Sequence, residues 1–214
     1  MNIYSTNICN VLFIIMFCLS GISSQRAFTA SGEEATGNTH SKSVGSINVG
    51  DMYGGGVVAW VNKSGTHGLI LSAIDLSSED VWSNIQNEEI GDEAQSMYDG
   101  KANSEAIVAQ AGHTHSAAKL CLDYTNVNYG TGVYSDWYLP SIEEMKSFTT
   151  NLMDIQFGLI NDNDPATTAP SLSNRYWSST ETIYGNAWYY GFDYGITSSF
   201  DKSITYRVRA VRVF

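Results

Sequence analysis

Ser135-Asp136-Trp137-Tyr138-Leu139-Pro140-Ser141-Ile142-Glu143-Glu144 is the stretch from which the rest of the chain can be read. Ser141 and Glu144 stand in the Ser-x-x-Glu spacing of a capping box, in which the serine hydroxyl and the glutamate carboxylate each satisfy an amide that a helix start leaves open. A helix is therefore expected from Ser141, with Ile142, Met145 and Phe148 turned inward. Two more short helices are expected upstream. Asn103 or Ser104 can cap a segment ending at Gly112, and Ser116 can cap another in which Ala117, Leu120, Cys121 and Tyr124 recur at i, i+3, i+4 and i+7. That spacing sets Cys121 on the buried face, where a thiol acts as a small hydrophobe.

On either side of these helices the texture is β. Val57-Val58-Ala59-Trp60-Val61 and Gly68-Leu69-Ile70-Leu71 flank the turn residues Asn62-Lys63-Ser64-Gly65-Thr66, which reads as a hairpin. Residues 77–101 are acidic and irregular, and Glu88-Glu89 to Asp92-Glu93 read as a solvated loop. From Tyr176 onward, Tyr176-Trp177-Ser178, then Ala187 to Phe192, Ile196 to Phe200 and Thr205 to Phe214 form an antiparallel meander with turns at Asp193-Tyr194-Gly195 and Asp201-Lys202-Ser203. In the last strand Tyr206, Val208 and Ala210 share one parity while Val211 and Val213 share the other, so the apolar face switches in mid-strand; a bulge or burial on both faces would account for it.

The first 24 residues contain no charged side chain, and Val11 to Leu19 form an apolar run followed by Ser20, Gly21, Ser23 and Ser24. This is a signal-peptide pattern, too short for the ~20 residues of a membrane-spanning helix. Residues 1–24 are read as a signal peptide, 25–48 as a Ser/Thr/Gly-rich spacer and 49–214 as one domain, which makes the protein exported: secreted, periplasmic or at the cell surface. The signal peptide is its only expected dealing with the membrane. Cleavage would leave Cys121 as the single thiol, with no intramolecular disulfide. The net charge of −11 offers nothing to neutralise a phosphate backbone, so nucleic acid is excluded as a partner.

The order of motifs resembles the Lcl C-terminal domain family. The residues that carry the resemblance are Tyr53-Gly54-Gly55-Gly56, His67-Gly68-Leu69-Ile70, Ala117-Ala118-Lys119-Leu120-Cys121, Ser135 to Ser141 with Glu144, Tyr176-Trp177-Ser178-Ser179-Thr180-Glu181, Ala187-Trp188, and Val208-Arg209-Ala210-Val211-Arg212. The resemblance implies an α+β fold of the C-type-lectin-like kind, with a twisted antiparallel sheet, two to three short helices and long irregular loops. It also implies an exported bacterial recognition or adhesion module that binds an extracellular glycan or protein through its loops. A self-assembling surface protein, and so a homo-oligomer, is the alternative. The related formylglycine-generating branch shares a Trp-x-Leu-Pro motif but needs two reactive cysteines, and a mature chain with only Cys121 is not expected to be an enzyme.

Candidate ligand contacts are Glu181, Tyr184, Asn186, Tyr189 and Tyr194. Aromatic rings can stack on sugar faces while polar neighbours fix hydroxyls. By strand parity Trp188, Tyr190 and Phe192 are assigned to the core and Tyr189, with Ala187 and Gly191, to the open face. Trp137 and Trp177 are also assigned to the core. Asn161-Asp162-Asn163-Asp164 groups hard oxygens as a calcium loop would, although without the glycine and distant glutamate of an EF-hand, so Asp162 and Asp164 are the candidate metal ligands and calcium the one candidate cofactor. Arg207 and Arg209 share a face of the last strand and are expected in a structural salt bridge.

Overall fold

The Ser141 box is formed as expected: Ser141 Oγ accepts from the Glu144 amide at 3.3 Å, and Glu144 Oε2 accepts from the Ser141 amide at 2.8 Å. The computed structural model in which this is seen describes residues 46–130, 132–183 and 185–214. The signal peptide and nearly all of the spacer lie outside the described residues, as does Tyr184. Along the chain run β1 (Met52–Tyr53), β2 (Gly56–Val61), β3 (Gly68–Ser72), β4 (Ser77–Val81), a 3-10 turn (Asp92–Ala94), α1 (Gly100–Ala109), α2 (Ala117–Asp123), α3 (Ile142–Thr149), α4 (Leu152–Ile160), β5 (Arg175–Glu181), β6 (Asn186–Gly191), β7 (Ile196–Asp201), β8 (Thr205–Val208) and β9 (Val211–Val213). The architecture is α+β.

There are two sheets among the described residues. One has the order β1-β2-β3-β9, and the other β4-β8-β5-β6-β7. All pairings are antiparallel except the contact of β5 with β8, which is parallel and rests on Tyr176 opposite Arg207. The parity switch in the last strand thus has a different cause from a bulge or two-sided burial. The chain leaves the second sheet at Val208, passes through the buried pair Arg209-Ala210, and joins β3 of the first sheet at Val211. Tyr138 closes this junction by exchanging two backbone hydrogen bonds with Val211, both 2.9 Å.

Helix number and one helix start also differ from expectation. Asp99, not Asn103 or Ser104, caps α1 through its carboxylate on the Ala102 amide. Asn103 and Ser104 are instead buried: Asn103 Nδ2 donates to Ser96 O at 2.7 Å and Ser104 Oγ to Gly100 O at 2.7 Å. The fourth helix, α4, was hidden because its apolar residues face both ways, with Ile155 and Leu159 buried and Met153, Phe157 and Ile160 exposed. β4 was hidden in the acidic stretch because its residues are exposed or half-buried, with no alternation to announce a strand.

The core gathers on the two sides of these sheets. Trp82, Trp137, Trp177, Ile107 and Cys121 form one cluster, and Val57, Leu71, Met145, Phe148, Ile155 and Tyr176 another. Burial pushes the Cys121 thiol well above its ordinary range, so it serves as packing. The β6 parity runs opposite to expectation. Ala187, Tyr189 and Gly191 face inward while Trp188 and Tyr190 are half-buried, because the Tyr189 ring fills the space beside Trp177 and Tyr206 at centroid distances of 6.4 and 4.8 Å.

A buried ion pair ties β5 to the end of β7. Lys202 Nζ lies 2.5 Å from Glu181 Oε1, with both side chains fully buried. Glu181 also accepts from the amides of Ile90 and Gly91 at 3.0 and 2.8 Å, and Lys202 donates to Glu88 O at 2.9 Å over the face of Trp82. Removing one partner of such a pair strands the other charge in a low dielectric. Lys202→Met is therefore expected to lower the urea-unfolding free energy by about 3–5 kcal/mol. The double variant Glu181→Gln, Lys202→Met keeps an acceptor for the two amides and should recover part of that loss; an equal loss in both variants would contradict the assignment.

Candidate functional site

The residues singled out in sequence do not converge on one surface. Glu181 is 2% exposed and committed to Lys202, so it anchors a loop and does not meet a ligand. Tyr189 is 6% exposed and belongs to the core. Asn186 is half-buried at the start of β6, opposite Asp201, and Tyr194 stands exposed in the β6–β7 turn. Asp162 and Asp164 are brought together, but by hydrogen bonds. The Tyr129 hydroxyl donates to both, at 2.9 and 3.3 Å; Asp162 Oδ1 accepts from Asp164 N and Thr167 Oγ1, and Asp164 Oδ1 from Ala166 N. Burial and then the Asp162 carboxylate hold the Tyr129 phenol protonated. Among the described residues no group of three or more His, Cys, Asp or Glu side chains is placed to hold a metal.

What the fold does assemble is a polar trough at one end of the second sheet. A hollow of ≈310 Å³ is walled by Ser78 and Glu79 of β4, the Ser173–Arg175 entry to β5, Asp193 of the β6–β7 turn, and Tyr206 and Arg207 of β8. A second hollow of ≈490 Å³ shares Ser78 and Arg207 with it and extends between Ile74 and Thr168. These walls come from segments far apart in sequence that neighbouring strands bring into register.

Arg175 is the best positioned group in the trough. Its guanidinium carbon sits 5.4 Å from the Tyr189 ring centre and 5.9 Å from that of Tyr206, and Nη2 reaches Asp193 Oδ2 at 3.4 Å. A hydrogen bond with Tyr206 raises its pKa further, so it is a fixed cation. The two rings and Asp193 hold the guanidinium in place, and its five N–H donors outnumber these partners, which leaves donors for another acceptor. Arg207 is set by Asp75, which receives Arg207 Nη1 at 2.8 Å, Arg209 Nε at 3.3 Å and the Tyr176 hydroxyl at 3.0 Å. The structural salt bridge expected of Arg207 and Arg209 is thus present, with Arg209 also bonded to Thr168 O. Arg207 Nε is buried without a protein acceptor.

The trough offers donors from two guanidiniums, acceptors from Glu79 and Asp193, hydroxyls from Ser78 and Thr205, and the ring of Tyr206. Since Asp193 and Asp75 each pair with an arginine, it carries no large excess of either sign. Such a lining suits a neutral ligand whose hydroxyls both donate and accept. Sequence reasoning missed Arg175, Asp193 and Tyr206 because each sits in a different turn or strand end with no local motif.

The family model described as the Lcl C-terminal domain matches residues 73–212. No curated protein matches the chain. Among solved structures it is similar in fold to a fimbrial protein from Bacteroides ovatus ATCC 8483, with a TM-score of 0.57 at 18% identity, over 78% of this chain and 48% of that one. The chain therefore spans about half the length of that neighbour.

The Asp75 anchor has a pH signature. Burial, and then the Asp75 charge, push the Tyr176 phenol from 10.0 up to about 12. The folded state holds this proton more tightly than the unfolded chain, so its contribution is full below the unfolded value and is lost as pH rises through about 12. The difference in unfolding free energy between the wild type and Tyr176→Phe should be flat near neutrality and shrink by about 2–3 kcal/mol between pH ~10 and ~12. A difference that stays constant over that range would show that Tyr176 is not held this way.

Proposed function

Because the chain belongs to the Lcl C-terminal domain family, we propose that it is an exported surface module of adhesion that recognises a neutral glycan in the trough beside Arg175. The observation that carries this reading is the Arg175 guanidinium held beside the Tyr189 and Tyr206 rings and Asp193, in one hollow that Glu79 and Asn174 also line. Each sugar hydroxyl needs a donor and an acceptor close together, and these pairs supply them without the excess positive charge that an anionic ligand would demand. The fold is of the C-type-lectin-like kind in this reading, with loops carrying the recognition as such scaffolds allow. The fimbrial likeness supports a place at the cell surface. The trough has no paired nucleophile and base, and Cys121 is sealed in the core, so recognition rather than turnover is the function proposed.

The test is a glycan array probed with the chain, with calcium and with a chelator. Neutral oligosaccharides should be retained equally under both conditions, since the hollow is lined by only two carboxylates, Glu79 and Asp193, and Asp193 is paired with Arg175. Arg175→Ala should weaken a confirmed ligand by at least about 10-fold while the melting temperature stays near that of the wild type, because a half-exposed side chain contributes little to folding. Undiminished affinity in Arg175→Ala, or a ligand that binds only with calcium, would overturn the reading.

A further inference from the structure

The first sheet carries a cleft of different character. Trp60, at the end of β2, and Tyr98, just before α1, are 38% and 77% exposed. Trp60 follows a register shift between Val58 and Trp60, and the residues before the shift, Val57 to Ala59, are all buried. A bulge of this kind re-aims the side chain that follows it. The two aromatic residues border an open cleft of ≈440 Å³, whose other side is α3 with Glu143, Glu144 and Lys146.

The charges of that wall are unequal. Lys146 pairs with Glu143 at 2.7 Å, which leaves Glu144 as the carboxylate without a cation. Its oxygens are held by neutral donors: the Tyr138 hydroxyl at 2.7 Å, the Ser141 amide at 2.8 Å and the Gly100 amide at 3.1 Å. The carboxylate is thus fixed in place by neutral donors, with no cation paired to it among the described residues. Of the three charged side chains in the cleft two are negative and one positive, in a chain of net charge −11.

We propose that this cleft receives a basic side chain, lysine or arginine, of a protein partner. The faces of tryptophan and tyrosine attract a cation, tryptophan most strongly, and a nearby carboxylate adds to that attraction where water is partly excluded. The field of an acidic chain steers positive segments toward it. A neutral sugar could stack on the rings and donate to a carboxylate, but it gains nothing from the net negative charge of the wall, and an acidic segment would be repelled. The proposal concerns the other sheet and does not depend on the glycan reading of the trough.

The experiment titrates the full chain with a capped Gly-Lys-Gly peptide and with its norleucine counterpart, following the Trp60 indole N–H signal by NMR. The lysine peptide should shift that signal and bind at least about 10-fold more tightly than the norleucine peptide, and its affinity should fall as salt is raised. Tyr98→Leu retains apolar bulk at an exposed position and removes the ring face, while Glu143→Gln removes one charge; each should weaken the lysine peptide by about 3-fold or more. Equal binding of the two peptides would make the cleft a plain apolar site and overturn the proposal. So would a Trp60 signal that moves with a neutral oligosaccharide and not with the lysine peptide. The cleft and the trough share no lining residue, so failure of the peptide titration leaves the trough reading standing, and a failed array leaves this one standing.

Discussion

The buried Glu181–Lys202 pair is the constraint on which the second sheet depends. Two charges taken out of water are costly unless every lone pair and proton is met, and here the amides of Ile90 and Gly91, the Glu88 carbonyl and the face of Trp82 meet them. The consequence reaches beyond the pair. Residues 88–91 belong to an acidic stretch, and these bonds tie its backbone to the ends of β5 and β7 while Ile90 packs against the core. With that loop set, Trp82 lies buried between α2 and β5, its indole N–H on Ser178 O at 2.8 Å, and the edge strand β4 is held against β8.

Local signals were legible in sequence wherever the physics was local. The Ser141–Glu144 box, the Ser116 cap, the 57–71 hairpin and the burial of Trp137, Trp177 and Cys121 each follow from spacing within one turn or one strand. Two errors came from treating apolarity as the guide to a face. Trp188 is more apolar than Tyr189, yet Tyr189 faces in, because Trp177 and Tyr206 on neighbouring strands leave a place for a ring there. In α4 apolar side chains point both ways, so the pattern gave no face at all.

The trough was illegible for a different reason. Its hub, Asp75, lies 101 residues from Tyr176 and 132 from Arg207 in sequence. Only the parallel contact of β5 with β8 sets Tyr176 opposite Arg207. A single sequence carries no trace of such pairings. Glu181 shows the converse. An acidic residue after a Ser-Ser-Thr run looks available for a ligand, and it is instead buried and paired with Lys202.

The passage from β8 to β9 through Arg209-Ala210 also governs how the molecule opens. One continuous segment supplies a strand to each sheet, so peeling β9 from β3 pulls on β8 and breaks the Tyr138–Val211 bridge that seats the start of α3. Neither sheet can fray far without drawing the other with it, and the two form one cooperative unit. A ligand bound at either surface would therefore stabilise both, by a free energy that grows with the logarithm of its concentration over its dissociation constant. A domain built in this way would be reinforced as a whole by any ligand that binds either surface.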